Sequence, residues 1–418
     1  MKAATYKFRK ITRPMANALA LNYHFMYALL KLNNFSFNST VGKATRPGGW
    51  TAIEINNTCN LNCKMCSTQL SKRQKGYITP ERFKRILLQL KRLNMRTISL
   101  HTVGEPFLHK QLEELFEIAK KEHFRIVLST NGQLTSKIKS IIEKYWPIIT
   151  YLRFSIDGAT RDTYETIREG AKFKLLVNSL KMVENFNHGK KNSKIHVKID
   201  AVVNNTTINE ISRSLHVFQR FCDPEDINFH LINGIAPDSA YFKETFPFPH
   251  LVRPYVPCAM PFQNIFFTFD GKVTLCCRDY EGELIVGDAT TSSLRDIWNG
   301  QEAESVRGQH LHPETLMIDS CKNCYGPYPA ISEIVNDYIH YLYEKRQGLN
   351  PEQFGSKISQ FLHVLNDAMK DKEKTALMHA VVKKFLELLQ NEKGRFLKIV
   401  IARCILIMLK KFPRGSPV

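Results

Sequence analysis

Six short runs rich in β-branched and aromatic residues recur along the first half of the chain, with helical patterns between them. The runs are residues 50–58, 96–103, 124–131, 151–157, 194–203 and 227–232. In the stretch 80–93, apolar residues recur at helical spacing, Thr79 is placed to cap the first turn, and Pro80 occupies that turn. Such alternation predicts an α/β fold with a parallel sheet, either open or closed into a barrel. Six repeats fall short of the eight of a complete barrel.

The pattern changes after residue 235. Residues 236–261 are rich in proline and aromatic residues, which indicates a linker or lid. Residues 266–277, FFTFDGKVTLCC, are two alternating runs joined by Asp270-Gly271, a step that predicts a hairpin with a type I′ turn. Beyond residue 330 the pattern is helical throughout. We therefore predict four parts, with boundaries at 1–48, 49–235, 236–330 and 331–418.

Length and composition indicate a globular protein in a reducing compartment. A chain of 418 residues predicts two or three domains, and 43% apolar with 23% charged residues is typical of a soluble fold. Ten cysteines are too few for a disulfide scaffold, and their clustering favours metal binding.

The net charge of +20 is concentrated at the two ends of the chain. Residues 1–50 carry eight basic residues and no acidic one, and residues 331–418 carry fifteen basic and nine acidic residues. Basic ends suit nucleic acid or an anionic membrane surface, and they also serve simply as solubilising tails. The middle of the chain is only mildly basic and shows no nucleic-acid module, so no nucleic-acid partner is expected.

The most apolar segments lie within these ends. Residues 15–32 and 396–409 are both interrupted by polar or charged residues, and neither reaches the ~18–20 apolar residues of a spanning helix. The second segment suits either the membrane interface or a terminal helix packed on the protein. No small-residue cleavage site follows the first, so we expect a cytoplasmic protein rather than a secreted one.

Residues 59–66, CNLNCKMC, place three cysteines within eight residues: Cys59, Cys63 and Cys66. Four thiolates would close a tetrahedral metal site, whereas three hold three irons of a cubane cluster and leave the fourth iron free for another ligand. The alternative is a zinc site with its fourth ligand elsewhere, for example His101 or His109.

Polar residues alternate with apolar ones along three of the predicted strands. The polar set is Arg153, Ser155, Asp157, His196, Lys198, Asp200, Asn228 and His230. If the apolar set faces the helices, the polar set faces the barrel interior. An interior of this kind is too polar for a packed core and predicts a substrate-sized cavity for a polar molecule.

A second set of thiols occurs later in the chain. Cys258 precedes the predicted hairpin, Cys276 ends it with Cys277 adjacent, and Cys321 and Cys324 form a C-x2-C pair. Four thiols give a closed site, which suits zinc or a fully ligated iron–sulfur cluster equally well on first principles.

The first cluster, C-x3-C-x2-C with Met65 before its last cysteine, resembles the signature of the radical S-adenosylmethionine (SAM) superfamily. In that family the loop follows the first strand of a partial (β/α)6 TIM-like barrel. Matches after the next three strands are Gly104-Glu105-Pro106, similar to the motif that holds the SAM amino group, Thr130-Asn131-Gly132, and Ser155-Ile156-Asp157-Gly158, similar to a motif that contacts ribose and carboxylate. The resemblance covers about 50–235. It implies a SAM-binding [4Fe-4S] cluster on Cys59, Cys63 and Cys66, and SAM contacts at Met65, Gly104, Glu105, Pro106, Asn131, Ser155 and Asp157.

The second set of thiols resembles the auxiliary cluster domain called SPASM, in its shorter twitch form with one cluster. The opening spacing C-x12-G-x4-C is met by Cys258, Gly271 and Cys276, and this spacing favours Cys276 over Cys277 as a ligand. The resemblance implies one auxiliary [4Fe-4S] cluster on Cys258, Cys276, Cys321 and Cys324. A fully ligated cluster has no open position for substrate, so its expected role is electron transfer.

The resemblance implies an oxidoreductase. Reductive cleavage of SAM gives a 5′-deoxyadenosyl radical that abstracts hydrogen from a polar substrate, and the auxiliary cluster accepts an electron, so that an alcohol becomes a ketone. The substrate class implied is a sugar, an aminocyclitol or a lipid-linked sugar alcohol. Asp200, His230 and His101 are the candidates for the base that removes the hydroxyl proton.

Three alternatives remain open at this point. A radical epimerase would use a cysteine as hydrogen donor, and Cys277 is placed for it. A SPASM peptide-modifying enzyme commonly carries an N-terminal peptide-binding module, which residues 1–50 do not resemble. A non-enzymatic electron carrier would have no use for a SAM pocket.

The implied partners are a small polar or lipid-linked substrate and an electron donor such as flavodoxin or ferredoxin. The basic, apolar segments 15–32 and 393–414 motivate a further hypothesis, peripheral contact with the cytoplasmic face of the membrane.

Overall fold

The computed structural model describes residues 47, 50–190, 194–231, 240–246, 260–311, 317–322, 324, 335–336, 338–340, 342–344 and 348–369. The predicted N-terminal segment apart from residue 47, the ligand candidate Cys258 and the apolar run 396–409 lie outside the described residues.

Strands and helices alternate through the first half of the described chain. The strands are β1 (Thr51–Ile53), β2 (Asn62–Cys63), β3 (Thr97–Ser99), β4 (Arg125–Thr130), β5 (Ile149–Ser155), β6 (Arg168–Glu169), β7 (Val197–Val203), β8 (Ile227–Leu231), β9 (Ile265–Phe267), β10 (Lys272–Thr274) and β11 (Ile285–Asp288). The helices are α1 (Pro80–Arg92), α2 (Leu112–Lys121), α3 (Thr135–Tyr145), α4 (Arg161–Ile167), α5 (Phe173–Asn187), α6 (Ile211–Phe218), α7 (Ala240–Thr245), α8 (Met260–Gln263), α9 (Leu294–Trp298), α10 (Gln301–Leu311), α11 (Asp319–Lys322) and α12 (Pro351–Met369).

The main sheet of the described residues has nine strands in the order β11-β10-β9-β1-β3-β4-β5-β7-β8, and β2 and β6 form a separate antiparallel pair. From β1 to β8 the spatial order follows the chain order, and every pairing is parallel. Right-handed crossovers that always step in one direction place the helices on one face of a sheet and leave the other face as the interior of a partial barrel. The predicted α/β fold with a largely parallel sheet and six strand–helix repeats is thus confirmed.

Strand β7 shows how the two faces differ. Val197, Ile199, Ala201 and Val203 are buried on one face, whereas the residues between them are only partly buried. On the helical side, α1 buries the apolar residues Phe83, Ile86, Leu87 and Leu90, and the Thr79 hydroxyl accepts a hydrogen bond from the Arg82 amide at 3.3 Å, as the sequence predicted. The hydrophobic core therefore lies between the sheet and its helices, and the opposite face of the sheet carries the partly buried polar residues.

The predicted hairpin forms between β9 and β10, but its predicted type I′ turn is wrong. A type I′ turn needs positive φ at both central residues, and of these two only Gly271 has one, at +90°. The Gly271 amide donates to Thr268 O at 2.9 Å and the Thr268 amide to Lys272 O at 3.0 Å. This pattern is a three-residue loop with glycine in the left-handed position, which relieves Asp270 of the strained conformation.

The hairpin extends the barrel sheet rather than standing apart from it. Strand β9 pairs in parallel with β1, with Ala52 opposite Phe266. Next to this pairing, the buried Glu54 carboxylate is bound by the Arg73 guanidinium, with N–O distances of 2.7 and 3.1 Å, and accepts from the Phe269 amide at 3.3 Å. The edge of the barrel and the hairpin region thus share a backbone ladder and a buried ion pair.

In the described part of the C-terminal region, helix α12 packs on α6 and on the turn Ile208–Glu210. This placement agrees with the predicted helical character of residues 331–418 as far as residue 369. Among the described helices, none combines the length and the apolar character that spanning a membrane requires.

Candidate active site

The first cysteine loop follows β1 at the carboxyl edge of the parallel strands, where parallel-sheet enzymes place their sites. Within the loop, Cys63 in β2 pairs with Arg168 in β6, and the Cys66 amide donates to Cys63 O at 3.0 Å. The small β2–β6 ladder therefore fixes the loop against the segment that follows α4. All three cysteines of the loop are partly buried free thiols.

Each of the three sulfurs of this loop accepts a hydrogen bond from a nitrogen. The donors are Asn131 Nδ2 to Cys59 Sγ at 3.8 Å, Arg168 Nη1 to Cys63 Sγ at 3.8 Å, and the Thr68 amide to Cys66 Sγ at 3.4 Å. N–H donors around sulfur stabilise thiolate ligands and tune the clusters that thiolates hold. The loop therefore fits a three-thiolate cluster.

Burial raises the pKa of the Cys59 thiol, and it raises the pKa of the Cys63 thiol to about 12. Thiols of this kind stay protonated at neutral pH unless a cation is bound, so loading a metal must release protons. In the described part of the chain, no three His, Cys, Asp or Glu side chains are grouped to hold a single metal ion.

Glu105 joins the predicted motif after β3 to the predicted motif after β4. Its carboxylate is buried and accepts from the Thr130 hydroxyl at 2.9 Å, the Asn131 amide at 2.8 Å and the Phe107 amide at 3.3 Å. Burial nevertheless raises its pKa to about 7. Asn131 in turn donates to Asn60 Oδ1 at 2.9 Å inside the cysteine loop.

Gly104, just before Glu105, sits where only glycine fits. Its φ is +81°, and an added Cβ would lie 2.6 Å from Asn56 O and 2.8 Å from Thr58 O. The Glu105 amide donates to Thr58 O at 2.8 Å. This close approach explains why the loop after β3 can lie against the segment that leads into the cysteines.

The remaining predicted SAM contacts occupy the same edge. Pro106 is buried at the start of the turn Pro106–Leu108, Met65 is partly buried against the core, and Ser155 ends β5 opposite Asp200. Asp157 is buried and accepts from the Val202 amide at 2.8 Å.

Arg168 belongs to this candidate site and was missed by the sequence analysis. Its Nη2 lies 2.7 Å from Asp157 Oδ2, while its Nη1 contacts Cys63, so one guanidinium links the motif after β5 to the cysteine loop. The Arg168 side chain is 11% exposed and that of Asp157 is fully buried. An arginine eleven residues after Asp157 has no spacing rule that marks it, and only the β2–β6 pairing brings it to Cys63.

On the barrel-interior face, Asp200 is the centre of a polar cluster. It lies 2.9 Å from Arg153 Nε and 3.2 Å from His230 Nε2, and it accepts from Asn228 Nδ2 at 3.1 Å. Burial alone would raise the pKa of Asp200, but the hydrogen bond from His230 and the charge of Arg153 hold it below its ordinary value. The predicted polar interior is therefore present, and its charges are paired.

The polar residues around Asp200 lie one strand away from the Asp157–Arg168 pair that contacts the cysteine loop. Val202, whose amide binds Asp157, is the register neighbour of His230 across β7 and β8. The His230 side chain is 50% exposed, so a molecule on this face of the sheet can contact it.

Of the other two histidines considered from the sequence, His101 is partly buried and His109 is buried. Burial, with a smaller contribution from Arg153, lowers the pKa of His101 to about 4. Both ring nitrogens of His109 are engaged, Nε2 with Ile78 O at 2.9 Å and Nδ1 with the Gln111 amide at 3.1 Å. His109 is therefore not available as the fourth ligand of a zinc site.

The second set of thiols surrounds an arginine. The Arg278 amide donates to Cys276 Sγ at 3.4 Å, and the Arg278 guanidinium is hydrogen-bonded to Cys324. Cys321 is buried, with its sulfur 3.7 Å from His310 Nε2. A hydrogen bond with Cys277, together with burial, raises the pKa of the Cys276 thiol. The fourth predicted ligand, Cys258, is outside the described residues.

The two cysteine regions contact each other through their neighbouring loops. The Ser71 hydroxyl donates to Tyr280 O at 3.0 Å, and the Lys72 amide donates to Glu281 Oε1 at 3.0 Å. Since residues 71–72 follow Cys66 closely and 280–281 follow Cys276 closely, the segments beyond the two thiol sets are directly joined.

Comparison with known proteins agrees with this arrangement. The family model of the radical SAM superfamily matches residues 53–197, and that of the iron–sulfur cluster-binding domain SPASM matches residues 258–325. The chain is 24% identical over 277 residues to the S-adenosyl-L-methionine-dependent 2-deoxy-scyllo-inosamine dehydrogenase of Niallia circulans, covering 65% of this chain and 90% of that protein. It is 27% identical over 128 residues to the mycofactocin maturase MftC of Mycobacterium tuberculosis, covering 30% of this chain and 32% of the maturase.

Two solved structures show the extent of the likeness. BtrN in complex with AdoMet and 2-DOIA matches with a TM-score of 0.44 and 20% identity over 66% of this chain and 93% of that one. Native anSMEcpe with bound AdoMet matches with a TM-score of 0.49 and 15% identity over 63% of this chain and 84% of that one. The two matched family models follow each other in the order that the sequence predicted, so the chain carries a radical SAM domain followed by a SPASM domain.

Proposed function

We propose that this chain is a radical SAM dehydrogenase that oxidises an alcohol of a small polar substrate, such as an aminocyclitol or a sugar, to a ketone. The observation that carries the proposal is the Asp200–His230 pair on the interior face, one strand from the Asp157–Arg168 contact with Cys63. The inosamine dehydrogenase that matches over 90% of its own length gives independent support.

The cofactors would be held by residues at the carboxyl edge of the sheet and in the hairpin region. Cys59, Cys63 and Cys66 would ligate the SAM-binding cluster, and Cys258, Cys276, Cys321 and Cys324 the auxiliary cluster. SAM contacts are assigned to Met65, Gly104, Glu105, Pro106, Asn131, Ser155 and Asp157, and we add Arg168, whose guanidinium faces Cys63 at 3.8 Å. When bound, these groups supply the removal of one hydrogen atom and one electron from the substrate.

Oxidation of an alcohol to a ketone also releases the hydroxyl proton, which a side chain must accept. His230 suits this role best of the three candidates. Because the Asp200 carboxylate is ionised and can only accept, His230 Nε2 must carry the hydrogen that lies between them. In the neutral imidazole, Nδ1 is then the nitrogen that can accept a proton, and the side chain is 50% exposed.

The other two candidates are less suited to accept the proton. His101 has a pKa of about 4 and is therefore a weak base at neutral pH. Asp200 is occupied by Arg153, Asn228 and His230, so its role is to fix the tautomer and orientation of His230.

The experiment compares His230→Gln with His196→Gln. His196 lies on the same sheet, is equally 50% exposed, and is also bound to an aspartate, Asp226, at 2.8 Å, so it is a matched control. His230→Gln should lower substrate oxidation by 10²-fold or more, without lowering substrate-free release of 5′-deoxyadenosine, and His196→Gln should leave both near wild type. Equal losses in the two variants would refute the assignment of His230.

The product separates dehydrogenation from epimerisation. A dehydrogenase gives a ketone and no new C–H bond, whereas an epimerase run in D₂O through an exchangeable cysteine donor gives an alcohol that carries deuterium. Mass spectrometry of the product distinguishes the two, and deuterated alcohol would overturn the proposed reaction.

Partners follow from the same proposal. A small electron-carrier protein such as flavodoxin or ferredoxin would reduce the first cluster.

Contact of residues 15–32 and 393–414 with an anionic membrane is proposed from sequence alone. Liposome co-sedimentation of the full chain beside residues 48–392 tests it, and equal partitioning of the two would end the idea.

A further inference from the structure

Thr68, two residues after the last cysteine of the first loop, is buried and uses each of its polar groups. It is 3% exposed and lies in the short helical turn Ser67–Gln69, for which Cys66 is the N-cap. Its amide donates to Cys66 Sγ at 3.4 Å, and its carbonyl oxygen accepts from Lys75 Nζ at 2.6 Å. The backbone on both sides of the Thr68 side chain is therefore fixed.

The Thr68 hydroxyl lies between Cys66 and Gly104. Its oxygen is 3.2 Å from Cys66 Sγ, and it accepts from the Gly104 amide at 3.4 Å. Gly104 begins the segment Gly104–Pro106 that is assigned to SAM. One hydroxyl group thus connects a proposed cluster ligand with a proposed SAM contact.

The directions of these two hydrogen bonds follow from the groups involved. A hydroxyl has one proton to donate and two lone pairs to accept with. The Gly104 amide can only donate, so it occupies a lone pair of Thr68 Oγ1. A cysteine that ligates iron has lost its proton, and its sulfur can only accept. The Thr68 hydroxyl proton must then point at Cys66 Sγ.

The two donors from Thr68 lie closer to their sulfur than the side-chain donors of the other two cysteines do. They are 3.2 and 3.4 Å from Cys66 Sγ, whereas 3.8 Å separates Asn131 Nδ2 from Cys59 Sγ and Arg168 Nη1 from Cys63 Sγ. An added electron increases the negative charge on the sulfurs of a cluster, so donors to sulfur favour the reduced form.

We propose that Thr68 is a positioning residue of the SAM-binding cluster. Its hydroxyl raises the reduction potential of that cluster through Cys66 and holds the Gly104 segment in place for SAM. The same oxygen serves both neighbours, so the segment after β3 has a fixed position relative to the cluster before SAM arrives. This rests on the proposed ligation of the cluster by the first cysteine loop, and not on the proposed oxidation of an alcohol.

The test is a potentiometric titration followed by electron paramagnetic resonance on anaerobically reconstituted full-length protein without SAM or substrate. All variants are made in the Cys276→Ala/Cys321→Ala/Cys324→Ala background, so that only the SAM-binding cluster is observed. Thr68→Val removes the hydroxyl at nearly the same volume, and Thr68→Ser keeps it. Thr51→Val is the matched control, because Thr51 is 1% exposed and its hydroxyl donates to a backbone oxygen, Ile265 O, at 2.8 Å.

Thr68→Val should shift the reduction equilibrium of the cluster about threefold or more toward the oxidised form, a fall in midpoint of about 28 mV for one electron. It should also weaken SAM binding about threefold or more in an equilibrium titration, because the Gly104 amide loses its acceptor. Thr68→Ser should keep both quantities near wild type. Thr51→Val should change neither, although it loses a buried hydrogen bond of the same kind.

A purely structural role of Thr68 would lower stability and SAM affinity but would leave the midpoint of the SAM-free cluster unchanged. An unchanged midpoint in iron-loaded Thr68→Val, or an equal fall in Thr51→Val or Thr68→Ser, would therefore overturn the proposal. If Thr68→Val does not load iron, Thr68→Ala is titrated in its place, with the same direction expected. Loss of iron from both, beside loaded Thr68→Ser and Thr51→Val, would support a hydroxyl that holds the cluster loop.

Neither readout involves the substrate. Failure of the His230 experiment would refute the dehydrogenase proposal alone, and an unchanged midpoint in Thr68→Val would refute only this one.

Discussion

At the scale of single residues, the Asp157–Arg168 pair is the contact that ties the motif after β5 to the first cysteine loop. The carboxylate is fully buried, one guanidinium nitrogen lies 2.7 Å from it, and another faces Cys63. Removing one partner of a buried ion pair leaves an uncompensated charge, which is more costly than losing an exposed pair.

We therefore predict that Arg168→Gln lowers the free energy of unfolding by about 3–5 kcal/mol and weakens SAM binding at least tenfold. Arg161→Gln is the control, because Arg161 belongs to the same helix–strand segment but is 76% exposed and lies 3.6 Å from Glu165. Denaturant unfolding and SAM titration of the two variants measure the difference. Similar behaviour of both variants would show that Arg168 has no special role.

A pH prediction follows from His101. Its folded pKa of about 4 lies below the unfolded value, so the unfolded chain binds the proton more readily. The contribution of neutral His101 to stability is present above pH 6.5 and is lost as the pH falls toward 4, by up to about 3 kcal/mol. Urea unfolding of wild type and His101→Gln at pH 7 and pH 4.5 should show a smaller acid loss in the variant. An identical pH dependence would contradict this assignment.

Motif residues could be predicted from the sequence, whereas their partners could not. The three cysteines, Gly104 and the residues of the Thr130–Gly132 turn lie at strand ends whose spacing is local. Arg168 and the bond between Glu105 and Asn131 depend on which loops meet above the sheet, and no local pattern encodes that meeting.

At the scale of elements, the parallel pairing of β9 with β1 joins the hairpin region to the barrel. The strands were predictable, since period-two alternation marks β9 and β10 and helical spacing marks α1. Their pairing was not, because Ala52 and Phe266 are 214 residues apart and β9 alternates equally well beside any partner. Glu54 and Phe269, whose amide donates to the Glu54 carboxylate, are 215 residues apart.

We predict that Glu54→Gln lowers the unfolding free energy by about 3–5 kcal/mol, because it leaves the Arg73 guanidinium unpaired in a site where Glu54 is 3% and Arg73 15% exposed. Glu184→Gln breaks the exposed Glu184–Arg220 pair, so its unfolding should match wild type within error. Chemical denaturation of the two variants is the measurement. A loss from Glu184→Gln as large as that from Glu54→Gln would contradict the buried-pair argument.

At the scale of the whole molecule, the regions that carry the two thiol sets are joined in two ways. They share one sheet, and hydrogen bonds link residues 71–72 to residues 280–281. The sequence predicted both sets and the α/β fold that carries them. It did not predict the contacts between the two loops, because residues 71–72 and 280–281 meet only in the folded chain.

The most direct test of this account is the iron content and SAM cleavage of the anaerobically reconstituted full-length chain. We predict about eight irons per chain, two [4Fe-4S] clusters, and release of 5′-deoxyadenosine when dithionite and SAM are added. Cys276→Ala/Cys321→Ala/Cys324→Ala should keep about four irons and still release the nucleoside, and Cys59→Ala/Cys63→Ala/Cys66→Ala should release none. Zinc in place of iron, or no nucleoside from the fully loaded protein, would contradict it.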